Sequence, residues 1–290
     1  MLLNEGEVVA KIESQYGSLL DSCNALHDVA IEIASSAVDQ NDLPEFADEL
    51  TKCAYAGLYA KACKQFRSIV LLCSNGLTED AATIVRTLFE TMVNLYFVLK
   101  PDYEYSNGGK KWNINSSSFD RRLRAQLYFA HTKYAFEKSA RQLANLICPV
   151  SEREQANRHL DQLISDCNSE LSAEWVERYR RGVKTCSGLD LRQLAENLGF
   201  SDVFYQKVYS LFSSEVHGTD IFNYVTPHES QKLVSVDLQP RVDRLPKVMY
   251  AAFVCFLHSV QIVNKECELE KDDELLACAK RCEGGFESVT

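Results

Sequence analysis

The sequence predicts an all-α protein, a bundle of long antiparallel helices with a less regular middle insert. Residues 81–100 are apolar on nearly every side, which is typical of a helix buried at the centre of a fold. Apolar residues recur elsewhere at the helical spacing of three and four. The 290 residues include only 12 Gly and 6 Pro, which favours long helices over many short strands. We expect one helical domain over residues 1–290.

The first part of the chain is predicted to form three helices. Apolar periodicity marks the first over residues 5–39, and Pro44 lies in the first turn of the second. Asn75-Gly76 ends the second helix, and Thr78 begins the central one, which stops before Pro101. Because the turn is short, helices two and three should be antiparallel neighbours.

The middle of the chain is predicted to be a loop over residues 101–118 and a helical insert over 119–185. The loop could be a mobile flap or a plain connection. The helix that begins at Phe119 has a basic face, interleaved with aromatic residues. Such a face could bind nucleic acid, or it could be a solvated surface above a core stripe. Its basic residues are Arg121, Arg122, Arg124, Lys133, Lys138 and Arg141.

The last third is predicted to contain three more helices and a tail. One helix closes at Gly199, and the next begins at a Ser201-Asp202 cap and reaches His217. An irregular stretch with one short strand follows. Residues 241–268 form the last long helix, and residues 271–290 form a tail with a short amphipathic helix.

Charge and composition exclude several classes of protein. The net charge of −10 disfavours broad, nonspecific nucleic-acid binding, although a local basic patch could still bind RNA or a nucleotide. A DNA-binding regulator is disfavoured, because no helix-turn-helix signal is present. No export signal is found at the N-terminus, and the apolar run at 248–263 is too short for a membrane span. We therefore expect a cytoplasmic protein without a membrane segment.

The 11 cysteines are scattered without any CxxC pair, which predicts free thiols in a reducing compartment. His and Cys residues do not fall into zinc-ligand spacing. The sequence also lacks a P-loop, a GxGxxG, a GxSxG and an HExxH motif. We therefore predict neither a cofactor nor a metal.

The main candidate site consists of Arg86, Glu90 and His217, with Ser214 beside them. Arg86 and Glu90 are four residues apart, so they lie on one face of the central helix, and we expect them to enter the core. His217 ends a helix, where the dipole stabilises its cation. With Glu90 it could perform acid–base chemistry, while Arg86 holds a phosphate. Alternatively, the pair is an internal ion pair and His217 is a helix cap.

A second candidate pair is Arg153 and His159. Five residues separate them, which matches an R-x(4–6)-H string. The surrounding segment is densely charged on one face, so a solvated surface is the competing interpretation.

The string AATIVRTLFETMVNLYFVL resembles the hallmark helix of an uncharacterised, mainly bacterial family of helical proteins, known only as a domain of unknown function. A second block agrees: Trp175, then LDLRQLAENLG, then Tyr205, Tyr209 and SSEVHG at 213–218. The resemblance covers residues 50–219. Members of the family resemble components of mobile-element or antiphage defence loci.

The resemblance also implies a distant likeness to the HEPN ribonuclease superfamily, whose members use Arg and His at a dimer interface to cleave RNA without metal. This chain departs from that pattern, since the nearest Arg before His217 is Arg192. Two hypotheses follow. One is a nuclease-like effector that acts on RNA or a nucleotide, and a homodimer is an expected form of it. The other is a non-catalytic sensor or protein-interaction module, in which the same residues form a buried polar network.

Overall fold

The computed structural model describes four long stretches of the chain, residues 5–39, 49–100, 189–210 and 242–287. It also describes two strand pairs, 106–107 with 110–111 and 225–228 with 233–236. Shorter described pieces are 121–122, 124–129, 131–132, 135, 139, 149, 154, 158 and 186–187. Structural statements below refer to these residues.

The described structure confirms the all-α prediction. The helices with defined limits are α1 (Glu5–Asp39), α2 (Glu49–Ser74), α3 (Thr78–Leu99), α4 (Leu191–Asn197), α5 (Asp202–Tyr205), α6 (Leu245–Glu266) and α7 (Asp272–Glu287). The described residues 121–122, 124–129 and 131–132 are also helical. The limits of α1 and α3 are those that the apolar periodicity predicts. A π-helical turn, Gln206–Ser210, continues α5 directly. This turn was not predicted, and it departs from the regular helix that the sequence indicated there.

The turn between α2 and α3 has the predicted helix-ending geometry. Gly76 has a φ of 80°, the left-handed conformation that glycine adopts without a steric cost. The amide of Leu77 donates to the carbonyl of Leu72 at 2.9 Å, which satisfies a carbonyl at the helix end. Gln65 on α2 donates to Thr87 on α3 at 3.0 Å. The two helices therefore run back beside each other, as predicted.

Two short antiparallel strand pairs interrupt the helical pattern. Strands β1 (Ser106–Asn107) and β2 (Lys110–Lys111) lie within the predicted loop. Strands β3 (Val225–His228) and β4 (Leu233–Val236) lie in the irregular stretch, with Val225 opposite Val236. The expectation of a single strand there was wrong, because Leu233–Val236 forms a second strand that pairs with the first.

The chain divides into two compact units. The first unit comprises Met1–Glu45, Ala56–Tyr96 and Phe200–Thr290. Within it, α1 packs against both α6 and α7. Phe66 on α2 stacks on Phe256 of α6 with ring centroids 4.2 Å apart, and both rings are buried. The predicted tail contributes to this core, since Leu275, Cys278 and Cys282 of α7 are buried.

The second unit comprises Phe46–Tyr55 and Phe97–Gly199. Asp190 caps α4, and its side chain accepts a hydrogen bond from the amide of Gln193. Two basic side chains satisfy helix C-termini here: Lys100 donates to the carbonyl of Leu198 at 2.9 Å, and Arg121 donates to that of Leu99 at 2.7 Å. These cations therefore have structural partners within the unit.

Nine cysteines fall within the described residues, all with free thiols, and only Cys53 is exposed. Burial raises the pKa of the Cys73 and Cys186 thiols to about 12, so they remain protonated and unreactive.

Helices α3 and α6 are long and apolar enough to cross a membrane by length and composition alone. In each, 61% of the apolar window is buried within the protein, which is also the pattern of a core helix. The cytoplasmic location therefore stays a prediction.

Candidate functional site

Helix α3 places Arg86 and Glu90 one turn apart on the same face. Nε of Arg86 lies 3.8 Å from Oε1 of Glu90. The Arg86 side chain is 18% exposed and that of Glu90 is 40% exposed. The pair thus lies at the solvent edge of a mostly buried helix. The expectation that both charges enter the core was wrong. The apolar residues of α3 that are buried lie on its other faces, and the face that carries Arg86 and Glu90 is accessible to solvent.

Tyr209, in the π-helical turn, provides a partner for Arg86 that the sequence analysis had not assigned to the site. Nη2 of Arg86 donates to the phenol oxygen of Tyr209 at 2.6 Å. The guanidinium carbon also lies 4.5 Å from the centroid of the Tyr209 ring, a cation–π contact. Two distinct contacts with one residue hold the guanidinium in a defined orientation. The only sequence signal for Tyr209 was its place in the second block of the family resemblance.

The phenol of Tyr209 responds to both charges of the pair. Burial raises its pKa, and the negative charge of Glu90 and a hydrogen bond with that side chain act in the same direction. The hydrogen bond from Arg86 and its positive charge act against this rise. Because the net shift is upward, Tyr209 keeps its proton at neutral pH. Arg86, Glu90 and Tyr209 therefore form one hydrogen-bonded cluster, called the Arg86 cluster below.

Aromatic packing fixes the turn that carries Tyr209. Phe89, which is fully buried on α3, contacts the rings of Phe204, Tyr205 and Tyr209 with centroids 5.8–6.0 Å away. Tyr205 and Tyr209 stack on each other at 5.1 Å. Phe89 lies between Arg86 and Glu90 in the sequence, so the same turn of α3 supplies the charges and the anchor for their partner.

The aromatic packing continues away from the Arg86 cluster to helix α6. Phe204 stacks on Phe200, and both rings contact His258 of α6. The hydroxyl of Tyr96 lies 3.4 Å from Nδ1 of His258. Burial lowers the pKa of His258, so its ring is neutral near pH 7. His258 lies within the apolar run at 248–263, and its contacts with α3 and α5 are tertiary, so local spacing gave no signal for them.

Several predicted site residues lie outside the described residues. These are Ser214 and His217, together with Arg153 and His159. Their proposed roles stay predictions. Glu154 and Arg158, next to the second pair, are exposed, as the interpretation of that segment as a solvated face requires.

The predicted basic face of the helix after Phe119 is wrong for two of its residues. Arg124 is completely buried, and Arg121 donates a hydrogen bond to the carbonyl of Leu99. Arg122 is exposed.

Arg124 and His131 also match the R-x(4–6)-H string, with six residues between them, and this match was not among the predictions. Arg124 is buried and His131 is half-buried, and burial lowers the pKa of the His131 imidazole.

Among the described residues, no three His, Cys, Asp or Glu side chains form a group that could hold a metal ion. The chemistry available at the Arg86 cluster is therefore that of a guanidinium, a carboxylate and a phenol. Together they can bind an anion and exchange a proton.

One comparison with known proteins gives a match. A family model described as "Family of unknown function (DUF5677)" matches residues 52–233, which include α3 and the turn that carries Tyr209. Neither the curated proteins nor the solved structures contain a match to the chain.

Proposed function

Because this chain belongs to DUF5677, a family of unknown function, we propose a function from its own residues: a nuclease-like effector that acts on RNA or a nucleotide. Arg86, Glu90 and His217 would form its site, with Ser214 beside them. The observation that carries the proposal is the position of the Arg86–Glu90 pair at the solvent edge of a buried helix. A ligand can reach both side chains there.

Arg86 supports the phosphate-binding part of this proposal. A guanidinium offers five N–H donors in a planar fork that matches the oxygens of a phosphate. Tyr209 takes one of these donors, and Glu90 is 3.8 Å from another nitrogen. The side chain is thus held in place before a ligand arrives, which lowers the entropy lost on binding.

Glu90 and His217 would supply the acid–base chemistry. Glu90 is 40% exposed, and its Oε1 lies 3.8 Å from Nε of Arg86. His217, which follows Tyr209 in the sequence, would be the second acid–base group. General acid–base catalysis by a positioned pair of this type contributes about 10²–10⁴-fold to a rate. Phosphodiester cleavage by such a pair requires no metal ion.

The family resemblance supports a wider setting for this activity, a defence or stress response in a bacterial cytoplasm. A partner protein of the defence system and assembly as a homodimer belong to the same proposal. They rest on the resemblance, whereas the roles of Arg86 and Glu90 rest also on geometry.

Expression in bacteria tests the proposal. We expect the wild type to arrest growth and degrade cellular RNA, and Arg86→Ala and His217→Ala to do neither. Arg67→Ala is the matched control, since Arg67 is an exposed arginine on α2 whose partner is Asn24. Circular dichroism should show that each variant folds. Folded Arg86→Ala and His217→Ala proteins with wild-type toxicity and RNA degradation would refute the proposal.

A second candidate function is supported by the same contacts. Arg86 ties α3 to the π-helical turn through Tyr209. In a non-catalytic sensor or protein-interaction module, this tie would serve helix packing rather than ligand binding. The two functions differ in what the loss of Glu90 should do to stability, as discussed below.

A further inference from the structure

The turn between α6 and α7, residues 267–271, is built in a way that favours exchange of α7 between two copies of the chain. We infer that the chain forms a domain-swapped homodimer, in which α7 of each copy packs on α1 and α6 of the other. The structure is the closed form, in which α7 packs on its own chain. The exchange does not rest on the proposed activity, and it gives the proposed homodimer a structural form.

The α6–α7 turn holds two glutamates in a backbone conformation that side chains disfavour. Glu268 has a φ of 52° and Glu270 a φ of 54°, and in the described part of the chain they are the two non-glycine residues with positive φ. In this left-handed region the Cβ atom comes too close to the following carbonyl oxygen. Glu268 occupies a helix-ending position that is usually glycine, since the amide of Leu269 donates back to the carbonyl of Asn264 at 3.0 Å. Opening of the turn releases this strain.

The sequence of the same turn favours a helix. It reads CELEK, with neither glycine nor proline, and glutamate, leucine and lysine are among the strongest helix formers. Local preference and folded conformation therefore disagree here, whereas at the α2–α3 turn Gly76 occupies the left-handed position. One continuous helix over α6, the turn and α7 satisfies the preference. In that form α7 is carried away from its own α1 and packs on a second copy.

Helix α7 has a well-defined binding surface on α1 and α6. Its buried apolar side chains are Leu275, Cys278 and Cys282. A Cβ atom added at Gly285 would lie 3.5 Å from Cα of Leu19, so α1 and α7 approach closely there. At the other end, Nζ of Lys271 lies 3.3 Å from Oε2 of Glu32 on α1. In a swapped dimer the same contacts form between copies, so the closed and swapped forms differ chiefly at the turn.

Asn264 holds the turn closed. Its side chain is buried, its Oδ1 accepts a hydrogen bond from the amide of Lys271 at 2.9 Å, and its Nδ2 donates to Oδ1 of Asp272 at 3.1 Å. These bonds join the last turn of α6 to the first residue of α7. The closed form therefore depends on a balance between this clamp and the strain at Glu268 and Glu270, and the two can be altered in opposite directions.

Refolding of the purified chain at high concentration tests the exchange. An equal mixture of unlabelled and isotope-labelled chains is refolded from urea with a reducing agent, and monomer and dimer are separated by size-exclusion chromatography. A carbodiimide then joins Lys271 to Glu32, the pair that forms an ion pair in the closed form. Mass spectrometry shows whether the two linked peptides come from one chain or from two. We expect a dimer whose linked peptides combine labelled and unlabelled chains, and a monomer whose linked peptides do not.

Paired variants of the turn make the outcome specific. Glu268→Gly with Glu270→Gly relieves the strain and lowers the helix preference, whereas Glu268→Ala with Glu270→Ala removes the same charges and keeps both. Each dimer contains two opened turns, so after equilibration the dimer dissociation constant of the glycine variant should exceed that of the alanine variant at least about tenfold. Asn264→Ala, which removes the clamp, should shift the equilibrium towards the dimer. Circular dichroism should show that each variant folds.

Three results would overturn the exchange. They are a wild-type chain that stays monomeric after refolding, a dimer whose linked peptides come from single chains only, and equal dissociation constants for the glycine and alanine variants. None of them bears on the Arg86 cluster, so the proposed activity is tested separately.

Discussion

Nη2 of Arg86 lies 2.6 Å from the phenol oxygen of Tyr209, although 123 positions separate the two residues in the sequence. The hydrogen bond joins the charged face of α3 to the π-helical turn after α5. Single π-turns inside helices occur often at functional sites, where the extra residue redirects side chains. In this protein the turn carries the residue that orients the arginine.

The Arg86–Tyr209 hydrogen bond predicts a specific effect of Tyr209→Phe. The substitution keeps the ring that packs on Phe89 and removes only the hydroxyl. Because the site is partly exposed, we expect a loss of about 1 kcal/mol in the free energy of unfolding, measured by urea denaturation. Tyr205→Phe, on the neighbouring stacked ring, is the comparison and should lose less. Equal losses in the two variants would show that the hydroxyl of Tyr209 stabilises the fold no more than the hydroxyl of Tyr205 does.

The exposure of Glu90 predicts that Glu90→Ala is mild. An exposed ion pair at this spacing on a helix contributes about 0.3–0.5 kcal/mol, and Arg86 keeps its hydrogen bond with Tyr209. We expect the free energy of unfolding to fall by less than about 1 kcal/mol, while RNA degradation is lost. A loss above about 3 kcal/mol, typical of a broken buried pair, would favour the structural module instead.

His258 predicts how stability depends on pH. Burial lowers its pKa from 6.5, so the fold favours the neutral ring. Its contribution to stability is therefore complete above pH 6.5 and is lost as the pH falls through the lower pKa of the folded state. His258→Phe keeps an aromatic ring that cannot be protonated. As the pH falls, the Tm of the wild type should decrease more than the Tm of this variant, so the difference between the two Tm values should change. A constant difference would exclude His258 as the titrating group.

Two glycines predict opposite effects of substitution by alanine. Gly76 has a φ of 80°, so Gly76→Ala should lower the free energy of unfolding by about 1 kcal/mol. Gly284 lies inside α7, and a Cβ atom added there meets no atom within 4 Å. Gly284→Ala should therefore raise stability by about 0.5–1 kcal/mol, since alanine has the higher helix propensity. Thermal denaturation of both variants tests this, and changes of the same sign would contradict it.

Predictions from the sequence were most accurate for structural features that depend on residues close together in the chain. The limits of α1 and α3, the glycine turn at Gly76 and the cap at Ser201 all follow from local spacing and turn chemistry, and all are confirmed. The family resemblance is likewise confirmed by the match to DUF5677. The helix limits, the turn and the cap are each encoded within a few turns of chain.

Features that depend on distant residues could not be predicted in this way. The spacing of Arg86 and Glu90 shows that they share a face, but the direction of that face depends on how α3 packs. The approach of Tyr209 depends on a π-helical turn and on three contacts with Phe89. Arg124 looks like part of a basic surface in sequence and is buried in the fold. In each case tertiary packing decides between interpretations that local patterns leave open.

The most direct test of the proposed function is the Kd of the purified protein for single-stranded RNA, measured in the presence of a chelator with Arg86→Ala and Arg67→Ala beside the wild type. Loss of an arginine–phosphate contact typically costs one to several kcal/mol, so Arg86→Ala should weaken binding at least about fivefold. Arg67→Ala should bind as the wild type does. Equal Kd values for the wild type and Arg86→Ala, or no binding by the wild type, would contradict the account.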